Sequence, residues 1–336
     1  MDSLIMYHAD ADGDEIGTID ELSSLDMETN IGTSATVTEN TFSLTVDDKW
    51  WEKQPIEKGH MIYIPDSEWG GIVSGIEHTT AKGTVTVTGI TWRGLLHCIV
   101  IEPSPGEAYV TITNMEANHA ITAALNGHYA HLIDVSSEDT GVYVSASWRY
   151  KYVAKALNKT LADYGLALRV SYNNVTKKIQ LSAEPVDELT ETIELSQDYG
   201  VDFTSKDGAE IPYNHCIALG TGELEERMVR YLYYDGEGIT TTKPQDWDEA
   251  DQRSLIFEYP NAESEDELIS SATDRLKQYI PVKSIEIDQV TANVPADLGD
   301  IIGARDRLTG MVGQSTVTQK ILTIKNGTLK ISLGVE

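Results

Sequence analysis

Over residues 84–88 the sequence alternates Thr-Val-Thr-Val-Thr, a strict period of two that reads as a half-buried strand. The register breaks at Gly89 and again at Gly94, which bracket Ile-Thr-Trp92-Arg93. The strand therefore runs into a turn, where glycines let the backbone bend or approach a neighbour closely. An apolar run over residues 95–101 follows and Pro103 stops it. Everything before this junction reads as β, and helical patterns begin after it.

At 336 residues the chain exceeds the size at which one core keeps growing, so two or three domains are expected. Hydrophobic residues make up 40% and charged residues 24%, which argues against wholesale disorder. The balance of charge is unusual: 54 acidic against 25 basic residues, a formal net charge of −29. Such a surface repels a phosphate backbone and an anionic lipid face, so neither nucleic-acid binding through a basic patch nor membrane association is expected. Cys98 and Cys216 each lie in an apolar run and are expected as buried free thiols, with a bridge between them as the alternative. The amino terminus lacks a basic region followed by an apolar stretch, and no window approaches the roughly 20 apolar residues of a membrane span. Synthesis in a reducing cytoplasm is the matching expectation.

Short extended runs at residues 4–7 and 16–19 form a hairpin around a tip dense in turn formers. Asp10, Asp12, Asp14 and Glu21 fall at calcium-loop spacing, but Glu15 stands where that loop needs glycine, so the hairpin tip is preferred. Further strands follow at residues 35–38, 41–46, 60–64 and 71–76, a spacing that suggests a sandwich or barrel. Trp50 and Trp51 either cap its end or form a contact patch. Helical spacing appears over residues 117–125 and 147–164, the latter with Lys151, Lys155 and Lys159 off the apolar stripe and Gly165 as its stop. A hairpin is expected at 167–172 and 178–183. Extended structure resumes at 193–203 and 214–219, and the Gly220-Thr-Gly222 turn leads to a strand carrying Tyr231, Tyr233 and Tyr234. After an irregular acidic stretch at 235–252, Ser264 and Glu267 form a capping box for a helix reaching Tyr279. The rest reads as β, with an Asn326-Gly327 hairpin turn.

Catalytic motifs are missing from the sequence: no Gly-x-Ser-x-Gly, Walker loop, His-Glu-x-x-His or Cys-x-x-Cys occurs. His119, His128 and His131 cluster around a helix end, where His128-x-x-His131 could offer two metal ligands but has no adjacent third of suitable kind, and Gly220-Thr-Gly222 joins two strands where a nucleotide site needs strand then helix. No catalytic residue, metal or cofactor is expected.

Several short stretches in collinear order resemble the tail-hub (baseplate hub, Gp37-like) proteins of long-tailed phages and prophages. They are Thr41-Phe-Ser-Leu-Thr-Val46, the 56–65 run with Glu68-Trp-Gly-Gly-Ile-Val73, Trp92-Arg93-Gly94-Leu-Leu96, residues 214–222 with Gly220, Gly222 and Arg227, and Leu298-Gly-Asp-Ile-Ile-Gly303-Ala-Arg305-Asp306. The resemblance implies an α+β, mainly β chain with two β-barrel domains bracketing a mixed α/β middle. In this chain the N-terminal barrel would cover 1–102, the middle 103–205, a hairpin-plus-helix continuation 206–281, and 282–336 would complete the second barrel. It also implies a homotrimer forming a ring at the virion tail tip. That ring adapts a sixfold tail to a threefold tip, contacts the distal tail, tape-measure and tip or fibre proteins, and lets DNA pass without binding it specifically. Trp50, Trp51, Tyr231 and Tyr233 are the candidate interface residues. Two other readings stand beside this one: a carbohydrate-binding receptor module, if Trp50, Trp51, Trp69 and Trp92 line an open groove, and a cell-wall hydrolase using His128 or His131.

Overall fold

The computed structural model describes residues 5–190, 194–195, 201–208, 213–236, 238–262, 264–280, 282–290, 295–305, 308, 310, 312–325 and 327–336. Two compact units emerge, one formed by Met1–Thr204 with Glu286–Glu336, the other by Ser205–Ile285. The protein is mainly β, with several sheets.

In the first unit the alternation at residues 84–88 becomes the strand Thr84–Thr91, paired antiparallel with Thr41–Asp47 on one side and Gly70–Thr79 on the other. Its odd-numbered valines, Val85 and Val87, turn inward with Phe42, Leu44 and Val46 from Thr41–Asp47. Leu25 and Met27 join them from Leu22–Asn30, the next strand. Each fully buried side chain of this kind contributes about 1.5–3 kcal/mol.

The two ends of the chain are both β, and they share a sheet. Val312–Lys325 pairs antiparallel with Leu22–Asn30, placing Leu322 opposite Met27 and Lys320 opposite Thr29. Thr328–Val335 continues the sheet on the far side, and Val290 pairs with Leu333 beyond it. Leu322 lies in the same apolar cluster as Leu25, Phe42 and Leu44. Among the described residues no pairing closes this path of strands into a barrel. Asn326 lies outside the described residues, although the strands that flank it form the expected hairpin.

Among the described residues five α-helices punctuate the sheets. α1 (Asp48–Lys53) is capped by Asp47, whose carboxylate accepts from the Lys49 N–H, and it carries the two tryptophans that read as part of an all-β segment. α2 (Trp92–Leu96) replaces the expected bare turn: the Thr91 hydroxyl accepts from the Gly94 N–H and starts a helical turn. Residues 35–38, expected as a strand, lead instead into a 3-10 turn at Val37–Glu39 capped by Thr36 and Glu39. α3 (Ala117–Leu125) falls where its spacing predicts. α4 (Val153–Ala162) is shorter than expected, because Tyr143–Trp148 is drawn off as a strand against Val110–Glu116. Its buried stripe is Val153, Ala156, Leu157, Thr160 and Leu161, with Lys155 and Lys159 outside. Both helices pack with the hairpin Leu166–Asn173 and Lys178–Pro185, to which Ile133–Val135 adds in parallel.

The second unit is a four-stranded sheet ordered Ile239–Thr240, Val229–Tyr234, His215–Leu219, Ser254–Glu258, the last pair parallel. α5 (Glu265–Lys277) covers one face, laying Leu268, Ala272 and Leu276 on Cys216, Ala218 and Leu232. Its cap is as expected, with the Ser264 hydroxyl accepting from the Glu267 N–H.

Leu322→Ala removes a fully buried side chain from the cluster shared by both chain ends, and it should destabilise the first unit by about 2–5 kcal/mol in urea denaturation. An effect below half a kilocalorie would mean the C-terminal strands lie loosely on this sheet.

Candidate functional site

Trp92 and Arg93, at the start of α2, are both buried, and they point into the seam where the first sheet meets the middle hairpin. The Trp92 ring stacks on Tyr172 with centroids 5.0 Å apart, and Tyr172 meets Tyr63 at 4.3 Å. Burial pushes the Tyr172 hydroxyl up to about 12. Gly94 is required by contact: a Cβ there would lie 2.4 Å from the Asn40 carbonyl oxygen and from the Ile90 side chain. That carbonyl already accepts from the Thr91 N–H and hydroxyl, so it has no room to withdraw.

Arg93 opens a line of alternating charge. Its Nη2 donates to the Leu168 carbonyl at 3.1 Å and stands 3.9 Å from Glu68 Oε2. Glu68 Oε1 is 2.5 Å from the Lys320 ammonium, which also lies 2.6 Å from Asp297 Oδ1 and 5.5 Å from the Trp69 ring centre. Beside it Arg169 donates to the Leu298 carbonyl at 2.7 Å and pairs with Asp300 at 2.6 Å. Asp300 in turn accepts from the N–H groups of Asp297 and Asp187. Burial works to lower Lys320, yet Glu68 and Asp297 outweigh it and hold its ammonium above the ordinary value. Burial works to raise Asp297, and Lys320 leads the charges that hold it below the usual range. For Arg93 burial dominates and lowers the guanidinium, with Glu68 opposing.

This clasp joins five stretches of the chain: the loop before Gly70–Thr79, α2, the Leu166–Asn173 strand, the 297–300 corner, and Lys320 of the Val312–Lys325 strand. Its members are cations and carboxylates engaged with one another, and none is a nucleophile beside a general base. What it can do is fix position. A one-residue slip of Val312–Lys325 would turn Lys320 out of the clasp and Leu322 out of the core.

The remaining candidate residues lie elsewhere. Gly303 is in the strand Ile301–Arg305, opposite Gln314, and Arg305 ends that strand opposite Val312. Asp306 lies outside the described residues. In the second unit Gly222 takes φ 94°, left-handed and open to glycine, with Glu226 O only 2.5 Å from where a Cβ would sit. Gly220 accepts from Arg227 Nε at 3.4 Å. Tyr231 is exposed on the sheet face away from α5, while Tyr233 is half-buried between His215 and Trp247. Trp50 is not an open contact patch: it packs into the core and donates to Asp20 at 3.2 Å, and Trp51 lies half-buried beside it. Cys98 corrects another expectation. It is an exposed free thiol, because the chain leaves α2 in a turn there and the strand begins only at Val100; Cys216 is buried and free. The 10–14 tip is a hairpin turn in which Asp10 accepts from the Asp12 and Asp14 N–H groups and Asp14 pairs with Lys177. Among the described residues no group of three or more His, Cys, Asp or Glu side chains is placed to hold a metal ion.

Lys320, Asp297 and Arg169 were not singled out from sequence. A signal existed for Lys320, a charged residue at an inward position in line with Leu322. Asp297 opens a recognisable Asp-Leu-Gly-Asp corner, which names a turn and not a charge partner, and nothing local marks Arg169.

No family model matches this sequence, and among curated proteins none matches it. Solved structures do. The 43 kDa tail protein of prophage MuSo2 from Shewanella oneidensis superposes with a TM-score of 0.53 at 12% identity, covering 99% of this chain and 98% of that one. A chain of the phage P2 baseplate, in its activated conformation with Ca, gives 0.50 at 10% identity, covering 99% and 98%. The tail protein from Neisseria meningitidis MC58 gives 0.48 at 12%, covering 98% and 95%. The fold is that of phage and prophage tail proteins. In this tail-protein fold the clasp ties together three of the stretches on which the sequence resemblance rests, those with Glu68 and Trp69, Trp92-Arg93-Gly94, and Leu298 and Asp300.

Two outcomes test the site. Lys320→Met removes the near cation from Glu68, leaving it only Arg93 at 3.9 Å, and should cost about 3–5 kcal/mol in chemical denaturation, part of which Glu68→Gln in the same chain should recover. His97 follows α2, is buried, and among the described residues has no hydrogen-bond partner for either ring nitrogen. Burial, then Lys155 and Arg93, lower it from 6.5 to about 4. Below its ordinary value the unfolded chain binds a proton that the folded chain refuses, so stability is full above 6.5 and declines as the pH falls toward 4. His97→Leu should flatten the melting temperature against pH over that window, and an unchanged slope would remove His97 as a cause.

Proposed function

We propose that this chain is a structural component of a phage or prophage tail, a baseplate hub at the tail tip. The observation that carries the proposal is the match of fold to a prophage tail protein over 99% of this chain and 98% of that one. On this reading 1–102 and 282–336 supply the barrel-like ends, 103–205 and 206–281 the material between them, and three copies form a ring. The ring adapts the sixfold tail to a threefold tip, meets the distal tail and tape-measure proteins and the tip or fibre proteins, and passes DNA through its lumen. The net charge of −29 suits a conduit that does not grip phosphate. A non-enzymatic role fits, since the clasp positions strands and performs no chemistry.

The carbohydrate-binding reading draws less support. Trp50, Trp69 and Trp92 are buried in the cores, so no row of open tryptophans is presented for a sugar ring.

Antibody against this chain should label the distal end of tails in electron micrographs of particles from the producing strain, and disruption of its gene should leave tails without a complete tip. Particles that carry no label, or intact tails from the disrupted strain, would end the hub reading. Clearing of a peptidoglycan zymogram by the purified chain would restore the hydrolase alternative.

A further inference from the structure

In this acidic chain residues 140–162 contain no Asp or Glu and four cations, Arg149, Lys151, Lys155 and Lys159. The structure gathers them on one exposed face and interleaves them with tyrosines. The Arg149 guanidinium lies 5.9 Å from the Tyr109 ring centre and 5.7 Å from that of Tyr150. Tyr109, Tyr150 and Tyr152 are exposed by 52%, 66% and 49%, an unusual amount of open aromatic surface for one patch. Tyr150, Lys151, Tyr152, Lys155 and Lys159 line a cleft of about 860 Å³ together with Gly32, Thr33, Thr316 and Thr318. Lys155 reaches across it to the Thr33 carbonyl at 3.5 Å. Tyr150 holds φ 47°, a left-handed conformation that side chains rarely adopt and glycine takes freely. A large ring is therefore kept at a position where the local backbone favours none.

We infer that this cationic tyrosine face and its cleft dock an acidic segment of a second copy of this chain. The inference deepens the tail-hub reading and rests on its self-assembly. Charge complementarity names the occupant: a copy with net charge −29 is acidic over most of its surface, and this face is where cations are concentrated. Exposed tyrosine with arginine is the composition of protein interfaces. Ring closure by heterologous contacts needs two unlike faces on each copy, one of which this is. A nucleic acid fits less well. Asp163, which pairs with Lys159, and Glu188 and Glu336 also line the cleft and would oppose a continuous run of phosphates, whereas a peptide can set its few carboxylates at Lys151 and Lys155 and offer N–H donors to the rest.

The test is the mass of the full chain over a concentration series by light scattering and sedimentation. Wild type should grow toward an oligomer as concentration rises. Lys151→Glu with Lys155→Glu should weaken association by about tenfold or more. Lys49→Glu with Lys53→Glu, an equal charge change on the exposed side of α1, should leave it nearly unchanged. Tyr150→Gly should also weaken association while its melting temperature stays level or rises, which separates loss of the face from loss of fold. A chain that stays monomeric throughout overturns the inference, as does equal weakening by both charge-reversed pairs. So does binding of a fluorescein-labelled single-stranded DNA oligonucleotide that the Lys151 and Lys155 reversals abolish. Tip labelling in particles by a chain that never associates through this face would defeat this inference alone, whereas particles without label would defeat the hub reading whatever the mass series shows.

Discussion

Lys320 is the hinge of the first unit's architecture. Placing an ammonium in a protein interior costs several kcal/mol unless opposite charge and good geometry offset it, and here Glu68 on one side and Asp297 on the other supply that offset. Such a pair adds little net stability over an apolar replacement. What it adds is uniqueness, because a threonine- and valine-rich sheet built on simple alternation could otherwise pair in more than one register. With Lys320 opposite Thr29 and held from two directions, one alignment of the C-terminal strand satisfies both the charge and the core.

The same constraint explains why the Trp-Arg-Gly turn matters. Arg93 enters the clasp only if α2 begins at Trp92, and α2 begins there because the Thr91 hydroxyl caps it and Gly94 lets it settle against Asn40. Trp92 then faces Tyr172, so the sheet, the helix and the middle hairpin are set by one local arrangement. Burial on this scale also holds the histidines near the seam neutral. His97 is enclosed beside it, and His8 is lowered to about 4 chiefly by burial and then by His60, whose ring lies 2.8 Å away.

Several elements were legible in the sequence because their causes are local. The cap at Ser264 and Glu267 names the start of α5, and the alternation of residues 41–46 and 84–88 names two strands and their inward faces. Misreadings arose where a competing local or tertiary cause won. Residues 147–152 carry helical spacing, yet Trp148 and its neighbours are taken up by Val110–Glu116, with the Trp148 indole donating to Thr160 of α4. Residues 35–38 look extended, but Thr36 and Glu39 cap a tight turn. Asp47 does the same for α1, turning two tryptophans inward that a strand would have left on opposite faces.

By itself the sequence determined the class of structure, strands at both ends with helices between, and a surface dominated by carboxylates. Periodicity, caps and charge are properties of neighbours along the chain, so they can be read without coordinates. Only the tertiary structure decided that the two ends share one sheet, that Glu68, Arg93, Arg169, Asp297, Asp300 and Lys320 converge, and that Arg149, Lys151 and Lys155 share an exposed face with tyrosines. Those depend on which strand edge pairs with which, a choice made by burial and charge between residues far apart in sequence, as in the bond from Thr29 to Lys320 across 291 positions.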